Sequence, residues 1–364
     1  MTASYLSPRR LIAGRDEHPL GVGCRPIGGP ATNEGRPVGW AQVADSSAVD
    51  ALLRAHALGA TVYDTSDVYG LGHSQRLLGK MLAQVPRSSV SITCTVGTYK
   101  GTGQHAYSSL NLFRQVEQTQ ENLGVRQLDV LVLAHADFGP GDRYLEEARD
   151  TLQALRDSGD VAAIGMRVPG ILPASSATSD PGVGHWGSQL RYDFLFEQLN
   201  PQVLSTAVNP LEPQTDYAAA AEARSGESVF SFARRHGAAT MIHEPLLHGL
   251  LTGKYGPDAA FSTGDVRSRY TPADLEIVNR GLEALRTRFG RDPQALARIA
   301  LHYCLRRCPD SIVLAGASSP EQVHKNFEGL NAEVSDDDYA VAERAYSTLH
   351  AEFARHAAST TAAP

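Results

Sequence analysis

The sequence predicts an α/β protein whose parallel strands close into a single (β/α)8 barrel. Two observations favour this fold. Eight short apolar runs end in Gly, Asp or Asn, and amphipathic stretches of about a dozen residues alternate with them. The length of 364 residues lies at the upper end for one such barrel and would also allow two domains.

The predicted strands follow one another in chain order. They lie at residues 21–27, 61–65, 90–96, 128–135, 162–168, 203–208, 239–243 and 311–315. The first helix is expected over residues 46–58, with Leu52 and Leu53 on its apolar face and Asp45 or Ser46 as its cap. The glycines of the first strand run into a polar loop instead of a helix, which disfavours an open, doubly wound sheet.

Loops after the strands should form the functional face of the barrel. Residues 1–355 are expected to form one domain, followed by a small, polar and disordered tail at 356–364. The segment 169–188, rich in Pro, Ser and Gly, predicts an enlarged loop after strand five. Because such loops surround the active site of a barrel, we expect Arg25, Trp40 and Trp186 to contact a small-molecule substrate.

Composition excludes several classes of partner. The net charge is −7 and no block of Lys and Arg reaches five residues, so we expect neither nucleic acid nor an anionic membrane as a partner. No apolar run is long enough to span a bilayer or to form a signal peptide. The four cysteines are scattered, which suits reduced thiols in a cytoplasmic protein and makes a poor metal site. The sequence does not indicate an oligomeric state.

Four motifs occur in an informative order. The second strand ends in Asp64-Thr-Ser, and Tyr69-Gly follows before a helix. His135 closes the predicted fourth strand, and His243-Glu-Pro-Leu-Leu-His-Gly follows the seventh. The eighth strand leads into Gly316-Ala-Ser-Ser-Pro-Glu-Gln-Val-His-Lys-Asn. In this order, over roughly residues 18 to 350, the chain resembles the aldo-keto reductases.

This resemblance implies a mechanism of carbonyl reduction. In that family a Tyr hydroxyl donates a proton to a carbonyl oxygen while a nicotinamide hydride reaches the carbon. A Lys held by an Asp assists the Tyr, whose ordinary pKa near 10 is too high for exchange at neutral pH. A His orients the carbonyl. Carried over by position, Tyr69 is the proton donor, Asp64 is the carboxylate and His135 is the orienting imidazole.

The chain departs from the family pattern where the hydride is transferred. Thr95 stands at the position of the Lys, and a neutral hydroxyl cannot stabilise a phenolate as a cation does. Lys100 would replace it only if its loop folds inward. Arg167-Val168 replaces a Ser-Asn pair, while Ser205 and Val208 replace a Gln and an aromatic residue. A buried strand-end Arg is costly without a partner, so we expect Arg167 to hold a carboxylate of the substrate, Asp64 or Glu244.

The adenosine end of the cofactor site retains the family pattern, so the resemblance implies NADP. Lys325 or Arg267 is expected to contact a 2′-phosphate. The helix that begins at Pro320 is expected to bind a phosphate at its N-terminus. Because the residues at the hydride end of the site are altered, an enzyme that works without a cofactor remains an alternative. The residues expected to contact the cofactor are Gly23, Cys24, Arg167, Ser205, Pro245, Leu246, Gly249, Leu251, Lys254, Arg267, Gly316, Ser318, Gln322, Lys325 and Asn326.

Three functions therefore remain open from the sequence. The first is an NADP-dependent oxidoreductase of a carbonyl or alcohol substrate, with Tyr69 as proton donor. The second is a cofactor-independent dehydratase, isomerase or cyclase that uses Asp64, Tyr69 and His135 for proton transfer. The third is a nucleotide-sensing interaction protein on the same barrel, because fold alone does not fix function.

Overall fold

The computed structural model describes residues 4–12, 15–99, 101, 103–169, 171–173, 189–211 and 226–361. Eight parallel strands form a closed barrel in which each strand pairs with its neighbours in sequence, and the last pairs with the first. The predicted fold class is confirmed. The barrel strands are β1 Leu20–Gly23, β2 Val62–Ser66, β3 Ser91–Val96, β4 Leu128–Leu133, β5 Val161–Arg167, β6 Val203–Ala207, β7 Ala239–His243 and β8 Ser311–Gly316.

Helices surround the barrel. They are α1 Asp45–Ala57, α2 His73–Leu82, α3 Ser109–Leu123, α4 Leu145–Asp157, α5 Gln189–Leu199, α6 Val229–His236, α7 Pro272–Gly281, α8 Glu283–Phe289, α9 Pro293–Arg307, α10 Pro320–Gly329 and α11 Asp336–Thr361. In the described parts of the chain, two small antiparallel pairs lie outside the barrel: Thr32–Asn33 with Arg36–Pro37, and Ile171–Pro173 with Gly226–Ser228. Within the described residues, no helix combines the length and apolarity needed to cross a bilayer.

Helix α1 illustrates how the outer layer is built. It buries Ala48, Leu52 and Ala55, which recur at helical spacing and therefore share one face. The expected side-chain cap is wrong: Ala44 is the N-cap residue, and no side chain caps the helix. The Asp45 carboxylate instead contacts His73 Nε2 at 3.0 Å and Lys80 Nζ at 3.2 Å.

Apolar side chains fill the barrel interior. They are Val62, Val130, Val132, Ala163, Val203, Met241, Ile312 and Leu314, with Leu11 packed against them. Leu11 lies in an N-terminal turn closed by backbone bonds between Arg9 and Glu17. Side chains along a strand alternate between its two faces. The inward positions nearest the C-terminal ends of the strands therefore carry Asp64, Thr95, Arg167, Ser205 and His243.

Three boundaries differ from the sequence prediction. Strand β1 ends at Gly23, where a turn over Arg25–Ile27 begins, and β4 ends at Leu133, two residues before His135. Helix α11 continues to Thr361, into the predicted tail. Lys100 and Trp186, with most of the predicted loop 169–188, lie outside the described residues.

Candidate active site

A cleft opens at the C-terminal ends of strands β7, β8, β1 and β2. Its cavity volume is about 290 Å³, at the lower end of the roughly 300–1,000 Å³ of a typical small-molecule pocket. One end is lined by Asp64 and Tyr69, and another wall by Gly316, Ser318 and Asn326. The barrel itself joins these walls, because Gly23 of β1 lies in register with both Asp64 and Gly316.

Asp64 is a buried carboxylate at the floor of the cleft. The hydroxyl of Thr93, its register partner on β3, donates to Asp64 Oδ1 at 2.7 Å. Burial raises the pKa of Asp64 to about 6, although the Thr93 hydrogen bond and the charges of Arg167 and Arg25 act in the opposite direction. Asp64 can therefore exchange a proton close to neutral pH.

Tyr69 lies in the turn that follows β2, and its ring is buried. The turn fits tightly against the chain after β1, since a Cβ on Gly28 would lie 2.7 Å from the Tyr69 carbonyl carbon. Two guanidinium groups reach the ring. The Arg25 Cζ atom lies 5.0 Å from the ring centroid, and Arg167 Nη2 lies 3.5 Å from the hydroxyl oxygen.

A charged network holds Arg25 in place. Arg25 Nη1 lies 3.2 Å from Glu244 Oε1, and His248 Nε2 lies 3.2 Å from the same oxygen. Burial raises the pKa of Glu244, but the hydrogen bond and charge of His248, the neighbouring His243 and the charge of Arg25 bring it well below its usual value. Glu244 and His248 both have positive φ angles, at 63° and 54°, so this loop has a strained backbone.

Thr95 occupies the inward position that the sequence comparison assigned to it. Its side chain is buried, and it lies in register with Ser66 on β2 and Val132 on β4. Arg167 extends from β5 to the Tyr69 hydroxyl, so it spans the barrel mouth. Of the three carboxylates expected for Arg167, Glu244 is not its partner, because its carboxylate is held by Arg25 and His248. A carboxylate of the substrate stays a prediction. The charge of Arg167 nevertheless acts on Asp64.

The structure does not bring His135 to the cleft. Val130 and Val132 of β4 point inward, so alternation gives the next inward position to Ala134. The His135 ring instead lies 4.6 Å from that of Tyr107. Its Nε2 atom is 2.9 Å from the Gly97 carbonyl oxygen, and its Nδ1 atom accepts from the Asp137 amide. Both ring nitrogens are thus engaged by the backbone.

Polar side chains at the β8 end of the cleft are held by one another. Gln322 Oε1 accepts from both the amide and the hydroxyl of Ser318. The Ser319 side chain caps helix α10. Lys325 does not line this cleft, and its Nζ atom pairs with Glu321 at 2.8 Å on the exposed side of the helix. Its contact with a 2′-phosphate stays a prediction.

Arg267 lines the cleft but already has partners. Its guanidinium pairs with buried Asp265 at 2.6 Å and hydrogen-bonds to the Tyr255 hydroxyl. Its Cζ atom lies 4.1 Å from the Trp40 ring centroid. The guanidinium therefore joins the loop after β1 to the loop after β7, instead of standing free for a phosphate.

The remaining predicted residues divide into two groups. Those that line the cleft are Gly23, Arg25, Trp40, Pro245, Leu246, Gly249 and Lys254. Those that do not line it are Cys24 and Leu251, which are buried in the core, and Ser205, whose hydroxyl contacts His243 Nδ1 at 3.2 Å.

Sequence reasoning gave no role to His243 or His248, although both line the cleft. Burial, followed by the charge of Arg167, lowers the pKa of His243 to about 3, so its imidazole is neutral. The alternation of β7 was the available signal, because His243 lies two residues after Met241 of the barrel interior.

Comparisons with known proteins agree with this architecture. The sequence model of the aldo/keto reductase family matches residues 29–347 of this chain. The chain is 23% identical to aldo-keto reductase YhdN of Bacillus subtilis over 90% of this chain and 91% of that protein. It is 24% identical to the NADH-specific methylglyoxal reductase of Escherichia coli, over 88% and 91%.

A solved structure shows the same fold. The glycerol dehydrogenase AKR11B4 of Gluconobacter oxydans aligns over 96% of both chains with a TM-score of 0.66, at 20% identity. The family match covers most of the chain, including the strands that carry Asp64 and Arg167 and the segment from Gly316 to Asn326. The chain therefore belongs to the aldo/keto reductase family of enzymes.

Proposed function

We propose that this protein is an oxidoreductase that uses a nicotinamide dinucleotide, NADP in the first instance, to interconvert a carbonyl compound and an alcohol. The observation that carries the proposal is the single cleft that joins Asp64 and Tyr69 to the segment from Gly316 to Asn326. A dinucleotide needs such an elongated site, because its reactive ring and its adenosine lie at opposite ends.

The side chains around the cleft suit this ligand. Ser318, Gln322 and Asn326 offer hydrogen-bonding groups for an adenosine. Lys254 and Arg25 line the same cleft and carry the positive charge that a pyrophosphate requires. The residues present therefore fit the cofactor, and the four buried thiols suit the reducing cytoplasm in which we place the protein.

Tyr69 is the proton donor in this proposal. The bound nicotinamide would supply a hydride to the carbonyl carbon. The Tyr69 O–H bond breaks as its proton passes to the carbonyl oxygen, which becomes the alcohol. The phenolate that remains regains a proton from solvent, and the nearby cations stabilise it meanwhile.

Nicotinamide fluorescence tests the binding part of the proposal. Titration with NADPH and with NADH should give a saturable change, and Asn326→Ala should weaken binding about tenfold through loss of a buried hydrogen-bonding side chain. Asn331→Ala is the matched control, because that side chain is exposed outside the cleft. The proposal would be overturned if neither NADPH nor NADH bound.

One observation favours a second function. Arg167 lies across the barrel mouth against Tyr69, and Thr95 replaces the expected cation. A site arranged in this way could transfer protons between Asp64 and Tyr69 in a dehydratase or isomerase without a hydride. Turnover of a hydroxy-carbonyl substrate in protein stripped of nucleotide would favour this second candidate.

A further inference from the structure

Arg167 is a half-buried cation without an ion-pair partner among the described residues. Its Nε atom is buried and has no hydrogen-bond partner, and its one described side-chain bond is the contact from Nη2 to the Tyr69 hydroxyl. Partial burial of a guanidinium whose Nε atom has no hydrogen-bond partner costs free energy, so a side chain kept in this state needs a compensating role.

The position of Arg167 complements the change at Thr95. Thr95 of β3 and Arg167 of β5 both face the barrel mouth. The strand between them, β4, is followed by Ala134, a small residue that alternation from Val130 and Val132 places at the inward position. A long side chain on β5 can therefore cross to Tyr69 without meeting a bulky neighbour from β4. The guanidinium arrives at the hydroxyl oxygen from the opposite side of the barrel.

We propose that Arg167 is the positioning residue that supplies the positive charge at the Tyr69 oxygen, in place of the ammonium absent at position 95. The inference rests on the proposed function for its catalytic meaning. The guanidinium directs the Tyr69 hydroxyl while the proton is present. It stabilises the phenolate by a charge-assisted hydrogen bond once the proton has passed to the carbonyl oxygen.

Arg25 has a different task. Its guanidinium lies over the face of the Tyr69 ring and is neutralised by Glu244. Arg25 also hydrogen-bonds to Tyr69 and interacts with it electrostatically, but Glu244 offsets its charge, whereas Arg167 has no carboxylate partner among the described residues. The two arginines thus differ in the net charge that they bring to Tyr69, and substitution should separate their effects.

Moving the charge from position 167 to position 95 tests the inference. Arg167→Met removes the charge and keeps the bulk, and should lower kcat for carbonyl reduction about tenfold to a hundredfold, the range for loss of a charged hydrogen bond. KM and nicotinamide binding should change by less than roughly threefold, a shift worth under 1 kcal/mol. Arg167→Lys should retain most of kcat, and Thr95→Lys added to Arg167→Met should recover much of the loss.

A matched control separates charge at Tyr69 from simple loss of an arginine. Arg156 on α4 also has a buried Nε atom without a hydrogen-bond partner, but it lies outside the cleft. Arg156→Met should leave kcat unchanged. Wild-type kcat in Arg167→Met, or failure of both Lys variants in correctly folded protein, would overturn the inference.

A second readout does not depend on turnover. Subtracting the alkaline titration of Tyr69→Phe isolates the tyrosinate absorbance of Tyr69. The midpoint of this absorbance change should move to higher pH in Arg167→Met. It should return towards the parental pH in the variant that also carries Thr95→Lys. If the protein neither binds nor oxidises NADPH, this titration still tests the contact, so the two proposals fail separately. An unchanged titration would contradict the role of Arg167. If Arg167→Met raised only KM, and only for anionic carbonyl compounds, Arg167 would instead be a substrate-binding group.

Discussion

Arg25 and Glu244 come from the loops after the first and the seventh barrel strands, and their side chains meet at 3.2 Å. This ion pair joins two walls of the cleft. It also holds the Arg25 guanidinium over the Tyr69 ring and stabilises a loop in which Glu244 has a positive φ angle. Stability and ring orientation therefore depend on the same contact.

Glu244→Gln should lower both stability and activity. The change leaves Arg25 without its charge partner, and we expect a loss of about 1–3 kcal/mol because both side chains are about one-fifth exposed. Denaturant unfolding measures the loss. Glu321→Gln removes an exposed carboxylate paired with Lys325 and should leave unfolding unchanged. Equal effects of the two variants would refute the structural role of Glu244.

Asp64 should make the protein less stable as pH rises. Its pKa is raised to about 6 in the folded protein, so between about pH 4 and pH 6 the folded state holds a proton that the unfolded chain has lost. Stability contributed by the protonated group is lost across that window, by about 3 kcal/mol in total. Asp64→Asn should therefore be more stable than the parent at pH 7, and the advantage should vanish near pH 4. A difference independent of pH would contradict this.

Arg267 should matter more for folding than for recognition of a 2′-phosphate. Arg267→Met leaves the buried Asp265 carboxylate without its partner and should cost about 3–5 kcal/mol in unfolding experiments. Arg280→Met is the surface control, since that side chain is more than half exposed and pairs at the protein surface. Selective loss of NADPH binding, with NADH binding and stability intact, would show that the guanidinium serves the phosphate after all.

His135 should behave as a packing residue. His135→Ala removes the ring from Tyr107 and the donor from the Gly97 carbonyl, with an expected cost of about 1–3 kcal/mol. Turnover of the folded variant should stay within roughly threefold of the parent, far from the hundredfold scale of a lost general acid. A hundredfold fall in kcat with unchanged stability would return His135 to the active site.

The barrel could be predicted because its signals are local. Each strand is a short apolar run, and the structure reproduces all eight, with ends within a few residues of the predicted ones. The same alternation explains the difference at His135. Val130 and Val132 point inward, so the next inward position falls on Ala134, and His135, one residue later, lies on the other face.

The cleft contacts were less accessible from sequence. Asp64 and Tyr69 lie five residues apart, and a single motif marks them. The contacts of Arg25 with Glu244 and of Arg167 with Tyr69 join residues 219 and 98 positions apart. Such pairs form only when the barrel closes, and they decide which arginine holds a carboxylate. Sequence spacing could not assign these partners.

Loss of the Tyr69 hydroxyl tests the central claim most directly. The assay follows oxidation of NADPH by aldehydes in the parent, in Tyr69→Phe and in Tyr63→Phe. Tyr63 is a buried tyrosine of the same strand–turn segment whose hydroxyl donates to the Leu52 carbonyl outside the cleft, so it is the matched control. The account predicts a fall of at least about a hundredfold for Tyr69→Phe with nucleotide binding retained, and near-parental turnover for Tyr63→Phe. Near-parental turnover in Tyr69→Phe would contradict it.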